Sequence, residues 1–293
     1  MATKLNTATD YLNFLKKQDQ GLHHTNYYHY TSIDTLNNIL SGGNLWLTSF
    51  GKENSNDIIE REWYKENGKY LFSVCFSTGT SESLPLWYLY SGIDGKGARI
   101  RLKKKTMTNF YNKLSSNDVP LFLAAMSKNK KEIDPSTKIP LNQGQYEIKL
   151  QDILYVGKDS EKTDTYRIKY NGNTCNNINL SEYNTILNEY PAFLKGLIWF
   201  YEKETRLQIE ITDTALQRAL TDTNKTYVVL LDINSILQEI SITLAPEFSD
   251  ETEKQKLCEK EGFKKVLSEQ LLFSDYKGTI HMSRCITQNV DNL

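Results

Sequence analysis

Residues 27–48, YYHYTSIDTLNNILSGGNLWLT, carry the clearest pattern of secondary structure in the chain. The aromatic residues and Thr at 27–31 favour a strand, because such side chains suit a pleated, half-buried surface. Ser32 or Asp34 can cap a helix whose apolar residues recur at helical spacing. Gly42-Gly43 ends this helix, and a second strand is predicted at Leu45–Thr48. This strand–helix–strand unit indicates a fold that mixes α and β elements.

The remaining chain continues this mixture of short elements. Strands are predicted at 70–77, 98–102, 146–150, 153–156, 204–211, 227–231, 240–244 and 279–282. Helices are predicted at 8–18, 57–66, 84–90, 181–198 with a break at Pro191, and 250–270. We expect a helical, Lys-rich insertion at about 104–142 and a polar segment at 159–179, in which Asn-Gly-Asn at 171–173 marks a loop. These patterns predict an α+β protein, with residues 1–293 forming a single domain.

Composition excludes several classes of protein. Lys and Arg total 35 and Asp and Glu total 36, a net charge of −1, so bulk charge would not attach this chain to nucleic acid. The sequence has no apolar run long enough to predict a membrane-spanning helix. Its polar N-terminal segment is unlike a signal peptide. We therefore expect a cytoplasmic protein with no membrane partner. The four histidines and four cysteines lack the usual metal-ligand spacings, so we expect no metal.

The run Trp199-x-x-Glu202-x-Glu204-x-Arg206 is the most informative candidate site. If it is extended, Glu202, Glu204 and Arg206 share one face, opposite the apolar residues at 207, 209 and 211. Carboxylates on a sheet face suit a reaction that passes through a ribosyl cation, which they stabilise without a metal. The alternative is an exposed edge strand whose charges are solvated.

Three other motifs allow both a functional and a structural interpretation. His29, between two tyrosines, can bond a ribose hydroxyl or serve as a structural histidine. Asn56-Asp57-x-x-Glu60 can line a pocket or form a helix capping box. Trp87 and Tyr90, three residues apart on a predicted helix, can stack on a flat heterocycle or pack in the core.

Taken together, these motifs resemble an uncharacterised bacterial family, a domain of unknown function. The resemblance extends over about residues 27–283. It is carried by Tyr28-His29-Tyr30-Thr31-Ser32, Leu45-Trp46-Leu47-Thr48-Ser49, Asn56-Asp57-x-x-Glu60, Cys75-Phe76-Ser77, Leu86-Trp87-x-x-Tyr90, Gly97, Tyr155, Trp199-x-x-Glu202-x-Glu204-x-Arg206 and Ile240 to Pro246 with Ser249. This chain departs from the family pattern at Ile58, where relatives carry Pro, and at His29, where they often carry Lys or Arg.

The first segment is also similar to DarT-like ADP-ribosyltransferase toxins, through His29, Thr31 and the Gly-Gly turn at 42–43. This resemblance implies a split β-sheet core with peripheral helices and NAD as the co-substrate. It also implies roles for particular residues. Glu204, with Glu202 upstream, would be the catalytic carboxylate, although the pattern does not decide between the two. The implied NAD-binding residues are His29, Tyr30, Thr31, Ser77, Trp87, Tyr90 and Arg206, with Asn56 and Asp57 near the acceptor.

The resemblance further implies a bacterial toxin or anti-phage effector with a macromolecular acceptor and a neutralising antitoxin. Nucleic acid is favoured over protein as the acceptor. Lysines at 103–105 and at 128, 130 and 131 offer positive charge, although such runs also occur on solvated helix faces. The alternatives are a protein ADP-ribosyltransferase, an NAD glycohydrolase and, from another class, a non-catalytic module that binds NAD.

Overall fold

A computed structural model describes residues 5, 7–17, 19–50, 60, 68–79, 81–91, 97–127, 133–158, 165–170, 173–221, 225–245 and 279–283. The chain divides into two compact units, each assembled from separate segments. The first unit comprises residues 1–24, 46–76 and 111–231, and the second comprises residues 25–45, 77–110 and 232–293.

The described elements mix short helices and strands, which confirms the α+β prediction. The helices are α1 Ala8–Leu15, α2 Ile33–Gly42, α3 Leu84–Tyr90, α4 Lys104–Ser115, α5 Leu180–Glu189 and α6 Thr214–Ala219. The strands are β1 Asn26–Ser32, β2 Asn44–Ser49, β3 Leu71–Ser77, β4 Gly97–Lys103, β5 Leu121–Ala125, β6 Ile139–Pro140, β7 Tyr146–Asp152, β8 Leu154–Lys158, β9 Thr165–Tyr170, β10 Asn173–Asn179, β11 Leu194–Gly196, β12 Glu204–Ile211, β13 Tyr227–Asp232, β14 Ser241–Leu244 and β15 Thr279–Met282. Among these helices, none has the length and apolar character needed to cross a bilayer.

The first unit contains strands of two sheets, and in one of them β13 pairs with β5 and β5 with β6. Strand β12 is antiparallel to β7, with Thr205 opposite Asp152 at one end and Ile211 opposite Tyr146 at the other. A separate four-stranded sheet has the order β10-β9-β8-β11, in which β11 runs parallel to β8. A hydrophobic core joins α1, α5 and the strands of this second sheet, and includes Tyr11, Leu15, Ile168, Ile186 and Phe193. The Ile153 amide, just before β8, donates to the Glu204 carbonyl at 2.9 Å and so places the start of β8 beside the start of β12.

The second unit contains β1, β4, β14 and β15. Strand β4 lies between β1 and β14 and is antiparallel to both, whereas β15 runs parallel to β14. Helix α2 follows β1 directly and begins at Ser32, whose hydroxyl accepts a hydrogen bond from the Thr35 amide. Leu36, Ile39 and Leu40 are its buried residues, as their helical spacing predicted.

Gly43 ends α2 with its backbone in the left-handed region, at φ 62°. A Cβ at this position would lie 2.2 Å from the Asn234 side chain. Gly43→Ala is expected to lower the free energy of unfolding by about 1–2 kcal/mol, measured by urea denaturation. Gly42→Ala is the matched control, because its Cβ would meet nothing closer than 3.7 Å. Equal stability of the two variants would contradict this account.

The structure corrects the predicted helical insertion at 104–142. Helix α4 ends at Ser115, and Asn117 follows with φ 63°. After Pro120 the apolar run Leu121–Ala125 forms β5, which pairs with β13. The strand is almost wholly buried, so its residues are apolar without alternation and its sequence resembles that of a buried helix.

Two further segments differ from the prediction. In the polar segment at 159–179, where only a loop at 171–173 was predicted, β9 and β10 form an antiparallel pair. The predicted helix at 181–198 ends at Glu189, since Pro191 follows, and residues 194–196 form β11 instead. The predicted helices at 57–66, apart from Glu60, and 250–270 lie outside the described residues.

Candidate functional site

Strand β12 places Glu204 and Arg206 on one face and Leu207, Ile209 and Ile211 on the other, as predicted. Both faces are buried, because Glu204 is 5 % exposed and Arg206 only 1 %. Glu202 is not on this strand, which corrects the prediction of one extended run. It ends a 3-10 helix, Leu197–Glu202, and Lys203 then turns the chain with φ 46°.

Arg206 is the centre of a buried set of charges. Its Nε donates to Glu204 Oε1 at 2.6 Å and its Nη2 to Glu204 Oε2 at 3.3 Å, a two-pronged pair. Its Nη1 donates to the Ala192 carbonyl at 2.9 Å and lies 2.5 Å from Glu60 Oε1. The guanidinium also lies over the Phe50 ring, 4.9 Å from its centroid. The geometry of Arg206 therefore orients the carboxylate of Glu204.

Lys195, which the sequence analysis missed, brings the two glutamates together. Its Nζ forms a short ion pair with Glu202 and lies 3.1 Å from Glu204 Oε2. The ammonium group is also 5.1 Å from the centroid of the Trp199 ring. Lys195 lies on β11, inside what was predicted as a helix, so the sequence carried no signal of its proximity to Glu204.

Among the described residues the network consists of three carboxylates and two cations, and the pKa values of Glu202 and Glu204 are shifted in opposite directions. Burial opposes ionisation of Glu204, but Arg206 and Lys195 outweigh it and hold its pKa well below the ordinary value. Burial, followed by repulsion from Glu204, raises the pKa of Glu202 to about 7, against the attraction of Lys195. One acid thus stays ionised while the other exchanges its proton near neutral pH.

The raised pKa of Glu202 predicts how stability depends on pH. Between the ordinary value of 4.5 and about 7, the folded protein holds a proton on Glu202 that the unfolded chain has released. The free energy of unfolding should therefore fall as pH rises through this window, and Glu202→Gln should remove that fall. Urea denaturation at several pH values from 5 to 8 measures the difference. Glu210→Gln, a partly exposed residue of β12, is the control, and parallel curves for wild type and Glu202→Gln would contradict the assignment.

Two further side chains contact Glu204 directly. The Glu204 amide donates to the Tyr155 hydroxyl at 2.8 Å, and the Cys75 thiol is hydrogen-bonded to the Glu204 carboxylate. Cys75 is exposed, yet the protein around it desolvates the thiol and raises its pKa well above the ordinary value. Cys75 is therefore a direct neighbour of the Glu204 carboxylate on the adjacent strand β3.

The second unit brings another part of the predicted site together. The Tyr30 hydroxyl accepts hydrogen bonds from the Ser83 amide at 3.2 Å and from Arg99 Nη1 at 3.5 Å. The rings of Tyr30 and Trp87 meet edge to face with centroids 4.8 Å apart. Trp87 Nε1 donates to Glu82, which also lies 3.6 Å from Arg99 Nη2. Trp87 is 1 % exposed, so its ring is packed within the core of this unit.

The other predicted residues differ in burial. His29, Ser77 and Tyr90 are half-buried, and Thr31 is buried. The lysines at 103–105 are exposed around the start of α4, as on a solvated face. Asn56, Asp57 and the lysines at 128, 130 and 131 lie outside the described residues.

Comparisons of this chain with models of protein families, with curated proteins and with solved structures found no match. The fold and site define a mixed α+β protein with a buried cluster of paired carboxylates. Its function must therefore be argued from the chemistry of that cluster.

Proposed function

We propose that this chain is an NAD-dependent ADP-ribosyltransferase, built on a split β-sheet core like that of DarT-like enzymes. One observation carries the proposal: Lys195 is paired with two buried glutamates, Glu202 and Glu204, and Arg206 orients the second of them. Enzymes that break glycosidic bonds commonly use two carboxylates in different protonation states.

The chemistry assigns a separate role to each acid. As the bond between nicotinamide and ribose breaks, nicotinamide leaves with the electron pair and positive charge develops on the ribose. Glu204, ionised throughout the working pH range, stabilises this charge. The acceptor nucleophile then bonds to the ribose carbon, and ionised Glu202 takes up its proton. Arg206 orients Glu204 in this scheme.

The remaining assignments follow the resemblance. His29, Tyr30 and Thr31 would bind NAD, and Tyr90 has more accessible ring surface for nicotinamide than Trp87. We propose nucleic acid as the acceptor and a toxin or anti-phage effector acting in the cytoplasm, kept silent by an antitoxin.

The experiment uses purified protein with NAD labelled in its adenylate part. Separate reactions contain total RNA, single-stranded DNA or cell protein. Label in RNA or DNA supports the proposal. Label in protein would mean that the acceptor is protein and not nucleic acid. Free ADP-ribose with every pool unlabelled indicates an NAD glycohydrolase. Absence of nicotinamide release in all reactions would overturn the enzymatic proposal.

A second candidate is a non-catalytic module that binds NAD. The observation in its favour is that both oxygens of Glu204 are engaged by Arg206 and Lys195, as in a purely structural network. Calorimetric titration with NAD separates the candidates. Binding without nicotinamide release supports the non-catalytic module. If the protein neither binds NAD nor releases nicotinamide, both candidate functions are excluded.

A further inference from the structure

The first unit contains a second cluster of reactive side chains, on the other face of β12. His23, His24 and Asp152 place one ligand atom each within 4.8 Å of one another. We propose that these three residues bind a divalent transition-metal ion, of which Zn²⁺ is the representative. This proposal does not depend on the proposed function.

The His23 ring is oriented as a metal ligand would be. Its Nδ1 lies 2.7 Å from the Gln20 carbonyl oxygen, and only a protonated nitrogen can donate to a carbonyl. In the neutral ring, Nε2 then carries a lone pair, which faces Asp152 Oδ2 at 3.5 Å. A cation placed between these two electron-rich atoms would be attracted to both of them. A histidine that donates its other nitrogen to a backbone carbonyl is also the usual arrangement of a metal ligand.

Asp152 is held in the orientation that a ligand requires. The Thr205 hydroxyl bonds to Oδ1, and the Tyr170 hydroxyl donates to Oδ2 at 2.8 Å. His24 Nε2 is hydrogen-bonded to the same carboxylate, at 2.7 Å from Oδ1 and 2.9 Å from Oδ2, and a metal ion would replace the proton that these groups share. The Asp152 side chain is only 5 % exposed, so this set of donors is built into the fold.

The donor set and its exposure indicate the kind of ion. Two imidazoles and one carboxylate suit Zn²⁺ or Fe²⁺, whereas Mg²⁺ and Ca²⁺ prefer oxygen ligands alone. His23 is 45 % exposed and His24 15 %, so the cluster opens to solvent on the histidine side. A bound ion would therefore keep a position for water.

Calorimetric titration of chelator-treated full-length protein with ZnCl₂ tests the proposal. We expect one Zn²⁺ per chain, and binding at least about tenfold weaker in His23→Ala. His23 is a surface side chain, so this variant should fold. His281→Ala, which removes an exposed histidine of β15, is the matched control and should bind like wild type. Equal binding by wild type and His23→Ala, or no binding by wild type, would overturn the site.

A second readout separates this site from the cysteines. Co²⁺ bound by imidazole and carboxylate should give visible absorption without the near-ultraviolet charge-transfer band that thiolate ligands produce. The visible bands should disappear in His23→Ala and stay in His281→Ala. A thiolate band in the wild-type spectrum would place the ion elsewhere. Excess Mg²⁺ should leave the spectrum unchanged, and displacement by Mg²⁺ would contradict the assigned donors.

Discussion

Arg206→Met is expected to lower the free energy of unfolding by about 3–5 kcal/mol. Arg206 is 1 % exposed and pairs with both Glu204 and Glu60. Without the guanidinium, Lys195 is the one cation that the described residues leave beside these two buried carboxylates. The cost of two buried, poorly compensated charges is far larger than the packing lost with the side chain, since methionine fills much of the same volume.

Urea denaturation followed by circular dichroism measures this effect. Arg218→Met is the matched control, because Arg218 is exposed on α6 of the same unit and its loss should change stability by no more than about 0.5 kcal/mol. If Arg206→Met cannot be purified folded, Arg206→Lys keeps the charge and should show a smaller loss. An Arg206→Met protein within about 1 kcal/mol of wild type would mean that the network is not charged as described.

Glu204→Gln is expected to reduce the rate of ADP-ribosyl transfer by at least about a hundredfold. The amide keeps the size of the side chain but cannot neutralise a ribosyl cation. The variant should fold, because without Glu204 the network has two acids and two cations. Nicotinamide release from NAD at saturating acceptor measures the rate. Glu210→Gln, on the same strand and half-buried, is the control with an expected rate close to wild type.

Glu202→Gln separates the two acids. Because the pKa of Glu202 is about 7, its loss should remove a rise in rate between pH 6 and 8 that wild type shows. Glu204→Gln should instead lower the rate equally at every pH. A wild-type rate in Glu204→Gln would remove that residue from the chemistry and favour the non-catalytic module. Identical profiles for both variants would contradict the division of roles.

The difference between predicted and observed elements has a consistent physical cause. Segments with clear periodicity and local signals were predicted well: α2 has its Ser32 cap and Gly43 stop, and β12 alternates apolar and polar residues over 204–211. Leu121–Ala125 lacks alternation because it is buried on both sides, whereas β9 and β10 bury only a few apolar side chains between polar ones that are exposed or half-buried. Local pattern cannot separate such strands from a helix or a loop.

The candidate sites divide in the same way. Sequence alone indicated the mixed α+β class, the face that Glu204 and Arg206 share, and their separation from the apolar residues of β12, because side-chain alternation follows from the strand itself. Only the structure showed Lys195 at both glutamates, because this contact depends on the chain turning back through the 3-10 helix Leu197–Glu202 between them. In the same way, the pairing of β7 with β12 brings Asp152 to Thr205, and His23 and His24, about 130 positions earlier, complete the cluster. Contacts between residues so far apart in sequence depend on packing, which no local pattern encodes.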